Sequence, residues 1–224
     1  MYLRLLTILL IAFLLPEGSQ GQIVRPQELS LQYHRAERAF RTGSSLNEAK
    51  TRLDTVIRAL PEDVEALMLR SQVLLALGRP EDAARDAQSA VALQPANGEA
   101  WLLLCETRRS AGAVAEAVTA LERAGSLIDS GADLHIRLSY NAQMLGDLDQ
   151  AEAFGRLALT QDRSPAGANV QLARVFQAKS RPDAAAVTLA GGLEKGILTA
   201  RDVTADPELS SLRSRPELQR WFQN

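Results

Sequence analysis

The stretch Val64–Asn97, VEALMLRSQVLLALGRPEDAARDAQSAVALQPAN, decides the fold. Two amphipathic runs of helical period flank a Gly78-Arg79-Pro80 break, so the stretch reads as a helix–turn–helix unit. A period of 34 residues brings five such units into register without insertion or deletion, starting at Ser30, Val64, Gly98, Ala132 and Ala166. One column is alanine throughout: Ala49, Ala83, Ala117, Ala151 and Ala185. A second holds Val56, Ala90, Ala124, Ala158 and Gly192, and a third holds Glu37, Ser71, Cys105, Ser139 and Ala173. Recurrent small residues mark places where two helices approach closely, since a larger side chain would collide with the neighbouring backbone. A turn column reads Ser44, Gly78, Gly112, Gly146 and Ser180, with Gly43 adjacent in the first unit; glycine there ends a helix in the left-handed conformation. Two positions later stand Leu46, Pro80, Val114, Leu148 and Pro182, where proline fits because a first-turn N–H has no helical partner.

Trp101, Leu104, Cys105, Gly112, Ala117, Leu121 and Ala124, and likewise Leu67, Ser71, Leu74, Gly78, Ala83, Ala90 and Pro95, follow a large, small, glycine, alanine order. This pattern resembles the tetratricopeptide repeat (TPR), which has the same period. The resemblance implies an all-α fold: a right-handed α-solenoid of five units (30–63, 64–97, 98–131, 132–165 and 166–199) with a C-terminal helical cap over 200–224. Arg70, Arg108, His135 and Asn169 depart from it at positions that prefer apolar groups. Asp129 and Arg163 stand where the closing proline of a unit, seen at Pro61 and Pro95, is usual.

The rest of the chain is read around this array. A hydrophobic share of 46% with 23% charged residues is globular, and aromatics at 4% leave the packing to Ala and Leu. A formal net charge of -2 gives no reason to expect nucleic acid. Arg4, the apolar run Leu5–Leu15 and the small-residue exit around Ser19 and Gly21 read as a signal peptide over 1–21, with Gln22 as the new N-terminus. The run is shorter than the roughly 20 apolar residues of a membrane span. The alternative is an uncleaved anchor. Residues 22–29 read as a linker, Ser30 as the cap of the first helix, and Gly191-Gly192 as an interruption of the last unit's second helix. Beyond it, two proline-started pieces, Asp206–Arg213 and Pro216–Phe222, carry Leu209, Leu212, Leu218, Trp221 and Phe222 to cover the array's apolar end.

No constellation for catalysis is found. His34 and His135 lie far apart without ligand-spaced partners, which argues against zinc. His135 falls in a packing column, and lone Cys105 reads as a buried hydrophobe without a base to activate it. Acidic residues at helix beginnings (Glu62 and Asp63, Glu81 and Asp82, Asp147 and Asp149, Asp183) complement helix dipoles rather than form acid–base pairs. No phosphate-binding glycine loop occurs, so neither cofactor nor metal is expected and the chain reads as non-enzymatic.

What remains is a groove. The resemblance implies a concave face lined by the first helix of each unit, and such faces bind partners. Its groove positions map to His34, Arg38, Arg41, Met68, Gln72, Leu75, Leu102, Glu106, Arg109, Ile136, Tyr140, Gln143, Val170, Arg174 and Gln177. Apolar groups mixed with forked arginine donors suit an extended or helical peptide of some acidic character. The carboxylate-clamp branch of the family does not fit, because its positions hold His34, Arg38, Leu69, Glu99 and Leu103, and Glu99 repels a terminal carboxylate. The expected function is a non-catalytic protein- or peptide-binding adaptor or assembly factor of the bacterial cell envelope, exported and periplasmic. The alternative is a structural scaffold subunit of a membrane-associated complex. It would be held in the inner membrane facing the periplasm by an uncleaved N-terminal segment, and would use the outer face or the C-terminal end.

Overall fold

The structure, a computed structural model, describes residues 24–161 and 166–222; the expected signal peptide and Arg163 lie outside them. The described residues are helical. Five first helices, α1 (Gln27–Thr42), α3 (Val64–Ala76), α5 (Gly98–Ser110), α7 (Ala132–Met144) and α9 (Ala166–Ala178), alternate with five second helices. These are α2 (Leu46–Ala59), α4 (Pro80–Leu93), α6 (Val114–Leu127), α8 (Leu148–Thr160) and α10 (Pro182–Glu194). Every second helix starts in the column Leu46, Pro80, Val114, Leu148, Pro182. Each helix packs on the next, and successive first helices also touch each other, as second helices scarcely do. The stack therefore curves toward its first helices, giving an all-α solenoid.

The helix pairs are seamed at the small columns. Ala49, Ala83, Ala117, Ala151 and Ala185 have no exposed surface. The Ser71 hydroxyl donates to the Ala83 carbonyl at 2.8 Å, and Ser139 repeats the bond to Ala151 at 2.8 Å. Cys105 takes the same place in the third unit, where burial pushes its thiol up to about 12. It is thus a packed, protonated side chain rather than a nucleophile. The glycine column closes the first helices: Gly78, Gly112 and Gly146 have φ of 71°, 77° and 88°. In the first unit Gly43 takes this conformation at φ 63° instead of Ser44. Ser180 is alone among the described non-glycine residues in doing so, at φ 55°.

The four departures from the repeat pattern are accommodated by partners or by burial. Arg70 forks onto Asp86 with two bonds of 2.7 Å and reaches Asp54 at 2.9 Å, tying α3 to both second helices beside it. Arg108 pairs with Glu116 at 3.0 Å. His135 is buried and its Nδ1–H donates to the Gly131 carbonyl at 3.0 Å. Asn169 is buried against α10, beside Gly192.

Three expectations are corrected. The first helix begins at Gln27, not after Ser30: Pro26 (φ -52°, ψ 150°) is its cap, and the Ser30 N–H already donates to the Pro26 carbonyl at 2.9 Å. With its extended ψ, Pro26 stays outside the helix, which starts at the next residue, and Glu28 favours its N-terminal dipole. Secondly, α10 runs through Gly191-Gly192 unbroken. A Cβ at residue 192 would lie 2.7 Å from Leu198 Cδ1 and 3.0 Å from Asn169 Cγ, so glycine serves close packing there. The helix ends instead at Glu194, just ahead of the left-handed Gly196, φ 67°. Thirdly, the tail does not begin with its proline pieces. One period after Ala166 comes α11 (Ala200–Ala205), starting in frame like α3, α5, α7 and α9 and capped by the Thr199 hydroxyl. Its Val203 is buried in the column of Leu67, Trp101 and His135. Pro207 then forces Asp206 out of helical geometry (ψ 115°) and stops this sixth first helix early. A 3₁₀ turn (Ser210–Ser214) and α12 (Gln219–Phe222) follow. Leu209, Leu212 and Leu218 are buried with Leu172, Phe176 and Leu189, and Trp221 and Phe222 pack against them.

Three outcomes test this packing. Ala117→Leu overfills the α5–α6 seam and lowers stability by about 1–3 kcal/mol, read by chemical denaturation. Ser180→Gly relieves the left-handed strain and raises stability by about 1 kcal/mol, or about 2–4 °C in Tm. Cys105 resists alkylation by iodoacetamide at neutral pH in the folded chain and reacts once the chain is unfolded.

Candidate functional site

The inner face is built from three columns of the first helices, and its two halves differ. From the third unit onward its polar groups are paired along the stack. Glu106 receives Arg137 Nε and Nη2 at 2.9 and 2.8 Å, and Arg109 Nε donates to Asn141 Oδ1 at 2.9 Å. Arg109 also lies 5.5 Å from the centroid of the exposed Tyr140 ring. Gln171 donates to Gln143 at 2.9 Å. Arg174 donates to the buried Asp206 carboxylate at 2.8 Å, and the Gln177 amide reaches the Glu208 carbonyl at 3.3 Å. Each first helix is thereby linked to the next, and the last to the tail. Forked arginine–carboxylate pairs of this kind fix geometry as well as charge.

Several expected groove residues are consequently engaged elsewhere. Leu102 has no exposed surface and belongs to the core, because the bend of the stack brings α3, α5 and α7 together around it. Arg174 and Gln177 are held by the tail. Val170 packs into the terminal core, Ile136 lies against the start of α9 beside Gly167, and Leu75 is half-buried. Among the described residues, Tyr140 and its neighbour Met144 are the exposed apolar groups of α7.

The first two units are open. His34, Arg38 and Arg41 are exposed along α1, and His34 Nδ1 approaches Glu37 at 3.4 Å. With Glu37 and Thr42 they line a cleft of about 470 Å³. A second cleft of about 270 Å³ adjoins it, sharing Glu37 and Arg41. Tyr33, Phe40, Met68 and Leu69 give its apolar floor, with Glu65 and Gln72 at its edge. Burial, reinforced by the Glu65 carboxylate, pushes the Tyr33 phenol up, so its hydroxyl stays neutral. An apolar hollow beside fixed cations can hold a bulky side chain and an anionic group of one short segment.

Sequence reasoning missed Tyr33 and Phe40, which sit in packing columns with no described unit ahead of them, and Leu69, which is buried with residues of the first unit. It also missed Arg25. This residue, from the supposed linker, forks onto Asp63 and stacks on Tyr33. Its partner lies 38 positions away, beyond the reach of any local pattern. Among the described residues no group of three His, Cys, Asp or Glu is arranged to hold a metal ion.

Comparison with known proteins agrees with this architecture. Two sequence profiles of the tetratricopeptide repeat match residues 33–92 and 74–135. Among solved structures, a thermophilic TPR protein of Thermus thermophilus is 23% identical, over 84% of this chain and 96% of that one, with a TM-score of 0.62. MamA (41-end) of Desulfovibrio magneticus RS-1 is 19% identical over 76% and 96%, with a TM-score of 0.60. A tetratricopeptide repeat protein of Parabacteroides merdae is 18% identical over 82% and 70%, with a TM-score of 0.62. At such identities the likeness speaks for the fold. No curated protein matches the sequence. With profile matches spanning 33–135 and the same helix pairs continuing to Glu194, the chain is a helical repeat protein similar in fold to the tetratricopeptide-repeat family.

Proposed function

We propose that the protein is a non-catalytic adaptor or assembly factor of the bacterial cell envelope that binds a segment of a partner protein on its inner face, at the first two repeats. Repeat proteins of this family are generally protein-binding modules. The observation that carries the reading is the contrast within the groove. Polar groups of the third to fifth repeats satisfy one another and the tail, whereas the clefts of the first two offer an apolar floor beside Arg38 and Arg41. A segment joining a bulky apolar side chain to carboxylates complements that surface. Export rests on the N-terminal sequence, Arg4 followed by Leu5–Leu15 and a small-residue exit.

One observation favours the scaffold reading. Val114 and Val118 on α6 and Val187 on α10 are exposed on the outer face, at 55%, 38% and 59%. A subunit held in a complex by that face would use them.

Crosslinking and capture from the native cell envelope separates the two. Arg38→Glu/Arg41→Glu, on exposed side chains, leaves the helical circular dichroism unchanged and loses the partner, while Val114→Glu/Val187→Glu keeps it. The reverse result assigns binding to the outer face. Intact-mass analysis of the captured chain, expected to begin at Gln22, tests export; a mass that includes Met1 supports the anchor.

A further inference from the structure

Arg25 lies ahead of the first repeat, yet its side chain is only 12% exposed. Its Nε and Nη2 donate to the two Asp63 oxygens at 2.5 and 2.6 Å, and Nη2 also reaches Glu65 at 2.9 Å. The guanidinium carbon stands 3.9 Å from the centroid of the Tyr33 ring. Asp63 is 2% exposed and also caps α3, accepting the Ala66 N–H at 3.1 Å. One guanidinium thus joins the ring of α1 to the cap and first turn of α3.

Those two elements are the walls of the apolar cleft. Tyr33 stands on one and Glu65 on the other, with Phe40, Met68 and Leu69 between them. Among the described caps of the other first helices none repeats this device: α5 is capped by Asn97, α7 by Gly131 and α11 by Thr199, all uncharged. Among the described residues no repeat stands ahead of the first to hold α1 in place. A forked, planar cation can satisfy two carboxylates and cover a ring at once, which an ammonium cannot.

We propose that Arg25 is a positioning residue of the binding site: by bridging Tyr33, Asp63 and Glu65 it sets the width of the cleft between α1 and α3, so residues 24–26 belong to the site. This rests on the groove reading above. The residue touches no occupant and acts through Tyr33 and Glu65.

The test uses the full chain and a fluorescent short peptide selected on it from a random library, with Met68→Asp and Arg41→Glu identifying a peptide that sits in the clefts. Arg25→Ala and Arg25→Lys each weaken that peptide by about tenfold, and amide hydrogen exchange quickens in α1. Arg52→Ala is the control: Arg52 ties α2 to α1 through Gln32 at 2.7 Å, outside the cleft. Its loss quickens exchange in α1 but leaves peptide affinity within about twofold. Arg25→Lys keeps the charge and serves if the alanine variant fails to fold. Peptide binding that is abolished by Met68→Asp yet unchanged by Arg25→Ala and Arg25→Lys overturns the positioning role and leaves the groove reading standing. Failure to select any peptide sensitive to Met68→Asp or Arg41→Glu overturns the groove reading and this inference with it.

Discussion

Between the two helices of the inner repeats there is room for an alanine methyl on one side and a hydroxyl, a thiol or a methyl on the other. That close approach governs the rest of the molecule. It lets Ser71 and Ser139 hydrogen-bond to carbonyls of the opposing helix, and it fixes the angle at which each pair leans on the next. Because interiors are packed as densely as organic crystals, the spacing tolerates little variation. The 34-residue frame therefore persists even where other signature positions are lost, as with His135 and Asn169.

The inner face shows how the same scaffold is differentiated along its length. From Glu106 to Gln177 its polar side chains find partners one repeat further on, and a satisfied, part-buried network resists intrusion by a ligand. At the N-terminal end of the described stack, Tyr33 and Phe40 are only half-buried and the α1 arginines face solvent. An array has two such ends. Here the C-terminal one is covered by Leu209, Leu212 and Leu218, and the N-terminal one is held at its seam by Arg25.

Much of the fold was legible because its signals are local. Second helices start where proline and its equivalents stand, and glycines with left-handed backbones end the first helices, because each depends on a few adjacent residues. Gly192 was misread for the opposite reason. Its glycine answers to Leu198 and Asn169, not to its own helix. The site was less legible. Family register named Arg38, Arg41, Met68 and Gln72, which line the clefts, but could not show that Leu102 is enclosed or that Arg174 is taken by Asp206. Those outcomes depend on curvature and on a tail whose helix stops early, which no single repeat encodes. Arg25 was invisible because its partners belong to another repeat.

The early stop of α11 also bears on how the length of such a chain can change. Since α11 begins in frame at Ala200 and carries a buried Val203, the tail is a sixth copy halted by Pro207, not an unrelated appendage. Arg174 and Gln177 of α9, in the columns of Glu106 and Arg109, reach forward to Asp206 and Glu208 just behind α11. A whole 34-residue unit could therefore be gained or lost ahead of Thr199 with every junction conserved in kind. The length of the protein is in this sense a count of repeats, and the proline is the mark that closes the count.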